Sequence, residues 1–477
     1  MNETSLLVSL PLIAALVAAA WPRAATITGV IATLGNAGLA VVLAIRIGQG
    51  GAEAEALGGW AAPLGIGFAA DGLAALMLVM TALVGLGVSV QVAGAPLPDA
   101  GRTGQRTAFW PLWLATLGAM NALFLSADLF NLYVTFEILG LAAVGLTALS
   151  GTRTALRAAF DYLSAGLAGS LLLLLGVALA YATAGRVDLA VVPELAGSHE
   201  GRVALGLIFA GLAVKAALFP LHFWMPAAHS SAAPEASALL SALVVKAAIY
   251  VALRLSIEGG AAVELLRLVL AVAGAGAMLW GAWHALRADR LKLLVAHSTV
   301  AQVGLIALAI GLTTGARDGT IWRAAALLML SHALAKAAMF LAVGRITEEL
   351  GHDRISGLNR EELRPGAAEF AFAIAAISLI GLPPTAGFVG KWLLLDGLID
   401  RGAWPWVALV LLGTVLSAAY LARVVSRCLR GGPHVAPGAR RPAWRAGDAA
   451  ALGLATAALA LGLASALPLT LLDATLT

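Results

Sequence analysis

The sequence predicts an all-α polytopic membrane protein of about 14 transmembrane helices, one integral membrane domain over residues 1–477. Three observations predict it. Hydrophobic residues make up 61% of the chain and charged residues only 12%, a balance foreign to soluble domains. Apolar runs of spanning length recur between short polar breaks. The 53 glycines, with abundant alanine, suit helices that approach closely in lipid. A net charge of only +4, with no basic stripe, excludes a nucleic-acid-binding role. The lone Cys428 excludes an internal disulfide, a cysteine-ligated cluster and a structural cysteine–zinc site.

The runs lie near residues 5–21, 25–45, 64–93, 109–126, 128–149, 155–183, 203–225, 234–256, 261–286, 293–313, 322–344, 367–398, 404–426 and 448–470. Leu6 to Ala20 could pass for the core of a secretory leader. The start, Met1-Asn2-Glu3-Thr4, carries no positive charge, so a retained first helix is expected. Loops after odd-numbered runs hold 18 lysines and arginines, against 8 after even-numbered runs. This bias predicts odd loops in the cytoplasm and both termini on the opposite face of a cell (inner) membrane.

Lysine usage is the sharper signal. The chain has five lysines against 25 arginines; Lys292 reads as a loop residue, whereas Lys215, Lys246, Lys336 and Lys391 fall inside predicted spans. Each intramembrane lysine costs roughly 2.5–3.5 kcal/mol on insertion scales, so four left uncompensated would cost about 10–14 kcal/mol. A desolvated lysine can surrender its proton and arginine cannot. The chain thus places its releasable cations in the membrane and its permanent ones at the surface.

An acidic counterpart, Glu137, lies nine residues past Asp128, roughly 13–14 Å along a helix and close to mid-membrane. Asp71, Asp128, Asp161 and Asp396 sit nearer the ends of their runs and read as interfacial or packing groups. His332 stands four residues before Lys336 and shares its helix face. His297 lies among Ser298, Thr299 and Gln302, while His222 and His229 flank a break in run 7. Imidazoles can relay protons here. A metal site is disfavoured, because His222 and His229 would stand about 10 Å apart on a continuous helix. No nucleotide, flavin or haem motif is present, and no cofactor is expected.

Two runs look broken. Run 7 carries Pro220 and Pro226 around LHFWM, and run 12 carries Pro383 and Pro384 in GLPPTAGFVGK. Unpaired backbone at membrane depth is tolerated only against protein or a wet cavity. Interrupted helices five runs apart predict two inverted five-helix repeats, helices 4–8 and 9–13. The layout is then helices 1–3 over 1–94, a first repeat over 109–256, a second over 261–430 and a last helix over 448–470.

These residues resemble the antiporter-like membrane subunits of respiratory complex I and of Mrp-type multisubunit sodium/proton antiporters. The motifs are NLYVTFEILG around Glu137, VKAALFPLHFWMPAAHSSAAPEASALLSALVVKAAIY, LKLLVAHSTVAQVG, LSHALAKAAMF and GLPPTAGFVGKW. The resemblance implies 14 helices, two inverted repeats, broken helices 7 and 12, and a polar axis. On that axis Glu137 pairs with Lys215, followed by Lys246, His297, Lys336 and finally Lys391. Lys391, where the middle subunit of complex I has a glutamate, favours the Mrp-type D subunit, as does the chain's end soon after run 14. Glu235-Ala236 depart from the Pro-Val pair common in that loop.

The expected function is therefore a proton-translocating subunit of a multisubunit Na+/proton antiporter, not itself an enzyme, partnered by other integral membrane subunits. One alternative is the proton-pumping membrane subunit of a complex I-like NADH–quinone oxidoreductase or membrane-bound hydrogenase. Another is a structural anchor, against which the mid-membrane titratable groups speak.

Overall fold

A computed structural model describes residues 2–60, 65–95, 103–313, 319–358, 365–429 and 443–475. The helices are α1 (Glu3–Ala20), α2 (Ala25–Gly50), α3 (Gly72–Gly94), α4 (Thr103–Leu125), α5 (Leu129–Ala148), α6 (Arg153–Ala184), α7 (Val192–Gly197), α8 (His199–Lys215), α9 (Met225–Ser231) and α10 (Pro234–Leu239). They continue as α11 (Val245–Gly259), α12 (Glu264–Arg287), α13 (Leu291–Gly311), α14 (Gly319–Leu350), α15 (Ala367–Ile380), α16 (Ala386–Asp400), α17 (Trp404–Leu429), α18 (Ala446–Leu463) and α19 (Ala466–Asp473). The protein is an all-α polytopic membrane protein. Among the described residues eleven stretches are long and apolar enough to span, with Pro234–Arg287 counted as one. Each predicted run overlaps a helix or helices around a break, though not always over its full length. The two runs predicted to be broken, now α8–α9 and α15–α16, are absent from those eleven because neither is continuous.

Local chemistry sets the helix starts. Asp71 accepts from the Ala74 amide, Asp128 from Asn131, Thr152 from Ala155 and Ser198 from Gly201, each capping the helix it precedes. The centre of the bundle is α14 and the α10–α11 segment, whose spanning windows are wholly buried. Helices α1, α2, α6 and α17 turn Leu16, Ile31, Phe160, Leu171 and Val415 outward, an apolar rim suited to lipid. Between α12 and α13 glycine permits close approach. A Cβ on Gly304 would stand 2.5 Å from the Gly274 carbonyl oxygen and 2.5 Å from the Met278 amide.

Several expectations change. The run expected from residue 64 becomes helical only at Gly72. Gly67–Ala70 (β2) instead pairs antiparallel with Glu53–Ala56 (β1), and both alternate in burial with the strand period. The last run bends between α18 and α19. Lys292, expected in a loop, is the second residue of α13, and its ammonium donates to the Ala232 carbonyl.

Permanent cations are also not confined to the surface. Arg254, Arg267 and Arg345 lie within helices with nearly all of each side chain or residue shielded. Partners explain it: Asp71 for Arg254, the Thr313 carbonyl for Arg267, and Glu348, Glu349 and Asp448 for Arg345. Arg102, Arg317, Arg360, Arg364, Arg430, Arg440 and Arg441, counted in the predicted loops, lie outside the described residues.

Candidate functional site

The predicted acid–base pair forms. Glu137 sits two turns into α5 and Lys215 ends α8, with Lys215 Nζ 3.6 Å from Glu137 Oε1. A residue not anticipated from sequence joins them: Ser170 on α6 donates to Glu137 Oε1 and accepts from Lys215 Nζ at 2.6 Å. The ammonium also lies 5.1 Å from the centroid of the Phe136 ring. A cavity of about 20 Å³, large enough for one water, opens on all three groups between α5 and α6. Glu137 keeps 28% of its side chain accessible, so this end of the site reaches the flank of the bundle.

Lys246 is fully buried at the middle of the bundle. Its helix does not run on regularly from α10; Leu240–Val244 form a π-helical turn. Such a turn disturbs the i→i−4 ladder, and Lys246 Nζ donates to the Ser241 carbonyl within it. The Ser241 hydroxyl lies 2.8 Å from Thr299 Oγ1 on α13, and Thr299 in turn donates to the Val295 carbonyl at 3.0 Å. Lys336, from α14, donates to the same Val295 carbonyl at 3.0 Å and to Ser298 Oγ. A short polar track thus runs from Lys246 through Ser241, Thr299, Val295 and Ser298 to Lys336. Neither lysine has a carboxylate partner among the described residues, in contrast with Arg254 and Arg345.

His229 and His332 lie within electrostatic reach of both lysines. Both ring nitrogens of each are buried without a hydrogen-bond partner among the described residues. The ring of His297, expected on the axis, packs in a cluster around Trp280. The ring centroid of His222 lies 3.9 Å from that of Trp280, His284 3.7 Å and His297 5.5 Å, with His284 and His297 5.3 Å apart. His284, in the last turn of α12, gives no signal in the sequence because it looks like a helix-end residue beside a loop.

Both proline breaks are present. In the first, α8 ends at Lys215, Pro220 and His222 occupy the crossing, and α9 carries Pro226 and His229. The Trp224 indole donates at 3.1 Å to the buried Val214 carbonyl, which also accepts from the Ala217 amide where the helix ends. In the second, Gly381 closes α15 with φ 82°, a left-handed conformation that only glycine enters freely, and Pro383 and Pro384 precede α16. Lys391 reaches back from α16 to the last carbonyls of α15, Leu379 at 3.0 Å and Ile380 at 2.8 Å. A cation there meets both the unsatisfied carbonyls and the negative end of the helix dipole. No direct hydrogen bond among the described residues joins Lys215 to Lys246, or Lys336 to Lys391. No group of three or more metal-ligating side chains occurs among them either.

Broken spans enclosing a carboxylate, four lysines and several imidazoles define an antiporter-like membrane protein. The chain belongs to the NADH:quinone oxidoreductase/Mrp antiporter transmembrane family, whose model matches residues 126–417. It is 36% identical over 412 residues to the N subunit of the NADH-quinone oxidoreductase of Desulforudis audaxviator (strain MP104C), covering 84% of this chain and 81% of that one. It is 30% identical over 376 residues to the D subunit of the Na(+)/H(+) antiporter of Bacillus subtilis (strain 168), covering 77% and 74%. In structure it resembles a chain of the Mrp complex from Dietzia sp. DQ12-45-1b, with a TM-score of 0.87 at 27% identity over 99% of this chain and 97% of that one.

Proposed function

We propose that this chain translocates protons as one subunit of a multisubunit monovalent cation/proton antiporter of the cell (inner) membrane. The observation that carries the reading is the Lys246–Ser241–Thr299–Val295–Ser298–Lys336 track. It links two buried lysines that no carboxylate among the described residues neutralises. A proton held by one ammonium disfavours a second on its neighbour, so protonation at one end of the track displaces charge at the other. Glu137 and Lys215, bridged by Ser170, form the switch at one flank, and Lys391 at the second break forms the other terminus. Pro220, His222, Pro226, His229, Pro383 and Pro384 delimit the breaks through which this axis meets water. The chain does no redox or hydrolytic chemistry of its own in this reading.

A mid-membrane carboxylate partly accessible at the flank is costly against lipid and is suited to cover by protein. That supports other membrane subunits as partners. The arginine distribution supports both termini on the non-cytoplasmic face, and the matching breaks support two inverted repeats, α4–α11 and α12–α17, in a 14-span layout. The test uses everted vesicles holding the assembled complex: Na+ addition should drive proton movement, and Lys246→Ala should abolish it with assembly intact. Unchanged transport in that variant sinks the role of the track.

The 36% identity to a chain of an NADH-quinone oxidoreductase favours a second reading, in which a redox enzyme drives the same axis. Proton movement on addition of NADH and quinone, with none on addition of Na+, would select it.

A further inference from the structure

We propose that a basic pocket at the end of the bundle formed by α12, α13 and α17 binds the phosphate of an anionic phospholipid headgroup. The pocket encloses about 530 Å³ and is lined by Arg290, Arg354, Arg423 and Arg427, with Asp289 and Ser356. Four guanidiniums face a single carboxylate in that lining. Asp353 engages Arg290 from outside it, at 2.9 and 3.0 Å from Nε.

The pocket is framed by backbone. Leu291 donates its amide to the Asp353 carbonyl at 2.7 Å and Ile355 donates to Asp289 at 2.9 Å, stitching the α12–α13 turn to the segment after α14. Arg423 is anchored by donating to the carbonyls of Leu286, at 2.6 Å, and Ala288, at 2.5 Å. Arg427 donates to Ile355 at 3.2 Å. The exposed side chain of Arg354 makes no hydrogen bond among the described residues and is free to meet a ligand. A guanidinium presents paired donors that match a phosphate, and a cluster of them held in place selects an anion over a zwitterion.

Depth assigns the phosphate to lipid. One turn before the end of α12, Trp283 is half exposed and the Arg287 guanidinium lies 4.4 Å from its ring centroid. An outward tryptophan with a stacked arginine marks the headgroup level of a membrane protein, and the pocket opens immediately beyond it. Basic pockets between helices at that level take anionic headgroups.

The full chain, purified in detergent, is titrated with phosphatidylglycerol, phosphatidylcholine or inorganic phosphate, and bound lipid is counted by native mass spectrometry. Phosphatidylglycerol should be retained and phosphatidylcholine not. The Arg354→Gln/Arg427→Gln pair should weaken retention by about tenfold or more, while Arg157→Gln, an exposed arginine of α6 outside the pocket, should leave it unchanged. The proposal fails if the double variant retains phosphatidylglycerol as the parent does. It fails too if inorganic phosphate competes the lipid away at equal concentration. A third failure is loss of the lipid when the complex is intact, which would show that a partner's acidic segment occupies the pocket.

Discussion

Ser170 holds Glu137 and Lys215 together: its hydroxyl donates to the carboxylate and accepts from the ammonium, whose nitrogen stands 3.6 Å from Glu137 Oε1. The serine therefore offers a hydrogen-bonded path for a proton exchanged between them. Ser170→Ala should keep the two charges close but leave each short of a partner, at a cost of about 1–3 kcal/mol. The expected result is an assembled complex with cation-driven proton movement reduced at least severalfold. Ser170→Thr should retain most of it. Equal rates in the alanine variant and the parent, measured in the same vesicles, would remove Ser170 from the mechanism.

The track between Lys246 and Lys336 depends on a hydroxyl at Thr299, which meets the Ser241 hydroxyl at 2.8 Å. Thr299→Val is nearly isosteric and leaves Ser241 facing a methyl group, whereas Thr299→Ser restores the oxygen. Transport should fall sharply in the valine variant and recover in the serine one, with protein levels alike in both. Loss in both variants would point to packing between α10–α11 and α13 instead of electrostatic coupling along the polar track.

His284 stacks on Trp280 at 3.7 Å and stands 5.3 Å from His297. His284→Phe preserves the stacked ring and removes both nitrogens. If the cluster delivers protons to the axis, this variant should lower the transport rate by roughly tenfold or more and change its pH profile. A lower rate with an unaltered pH profile would mark His284 as a packing residue.

Why these particular groups are legible or hidden in the sequence has a physical explanation. A charge among leucines and alanines is conspicuous, so Glu137 and the four buried lysines stand out, and the prolines announce both breaks. Ser170 does not stand out, because a serine in an apolar helix ordinarily satisfies itself on a carbonyl one turn back. The π-helical turn at Leu240–Val244 leaves no mark in composition. His284 is masked by the arginines beside it. Lys292 is hidden for the same reason: Arg287 and Arg290 make its surroundings look like a loop, while the fold carries its ammonium to the Ala232 carbonyl.

Arg254 shows the other limit, since its partner Asp71 lies 183 residues away in sequence. No local pattern reveals the pair, and by charge alone Arg254 reads as a loop residue. In the fold the guanidinium makes a bidentate contact with Asp71, which also caps α3, and donates to Tyr250 at 2.9 Å. Tyr250 in turn donates to the Phe124 carbonyl at 2.7 Å. Only 11% of either charged side chain is accessible. Removing one partner strands the other, so Asp71→Asn should cost about 3–5 kcal/mol, whereas replacing the pair with apolar groups of similar volume is often neutral. The expected result is a lower unfolding midpoint in detergent for Asp71→Asn, largely recovered in Asp71→Leu/Arg254→Met. If that doubly apolar protein is stable yet no longer transports, the ion pair serves the axis that passes two turns away at Lys246. If it transports normally, the pair only ties α3 to α11.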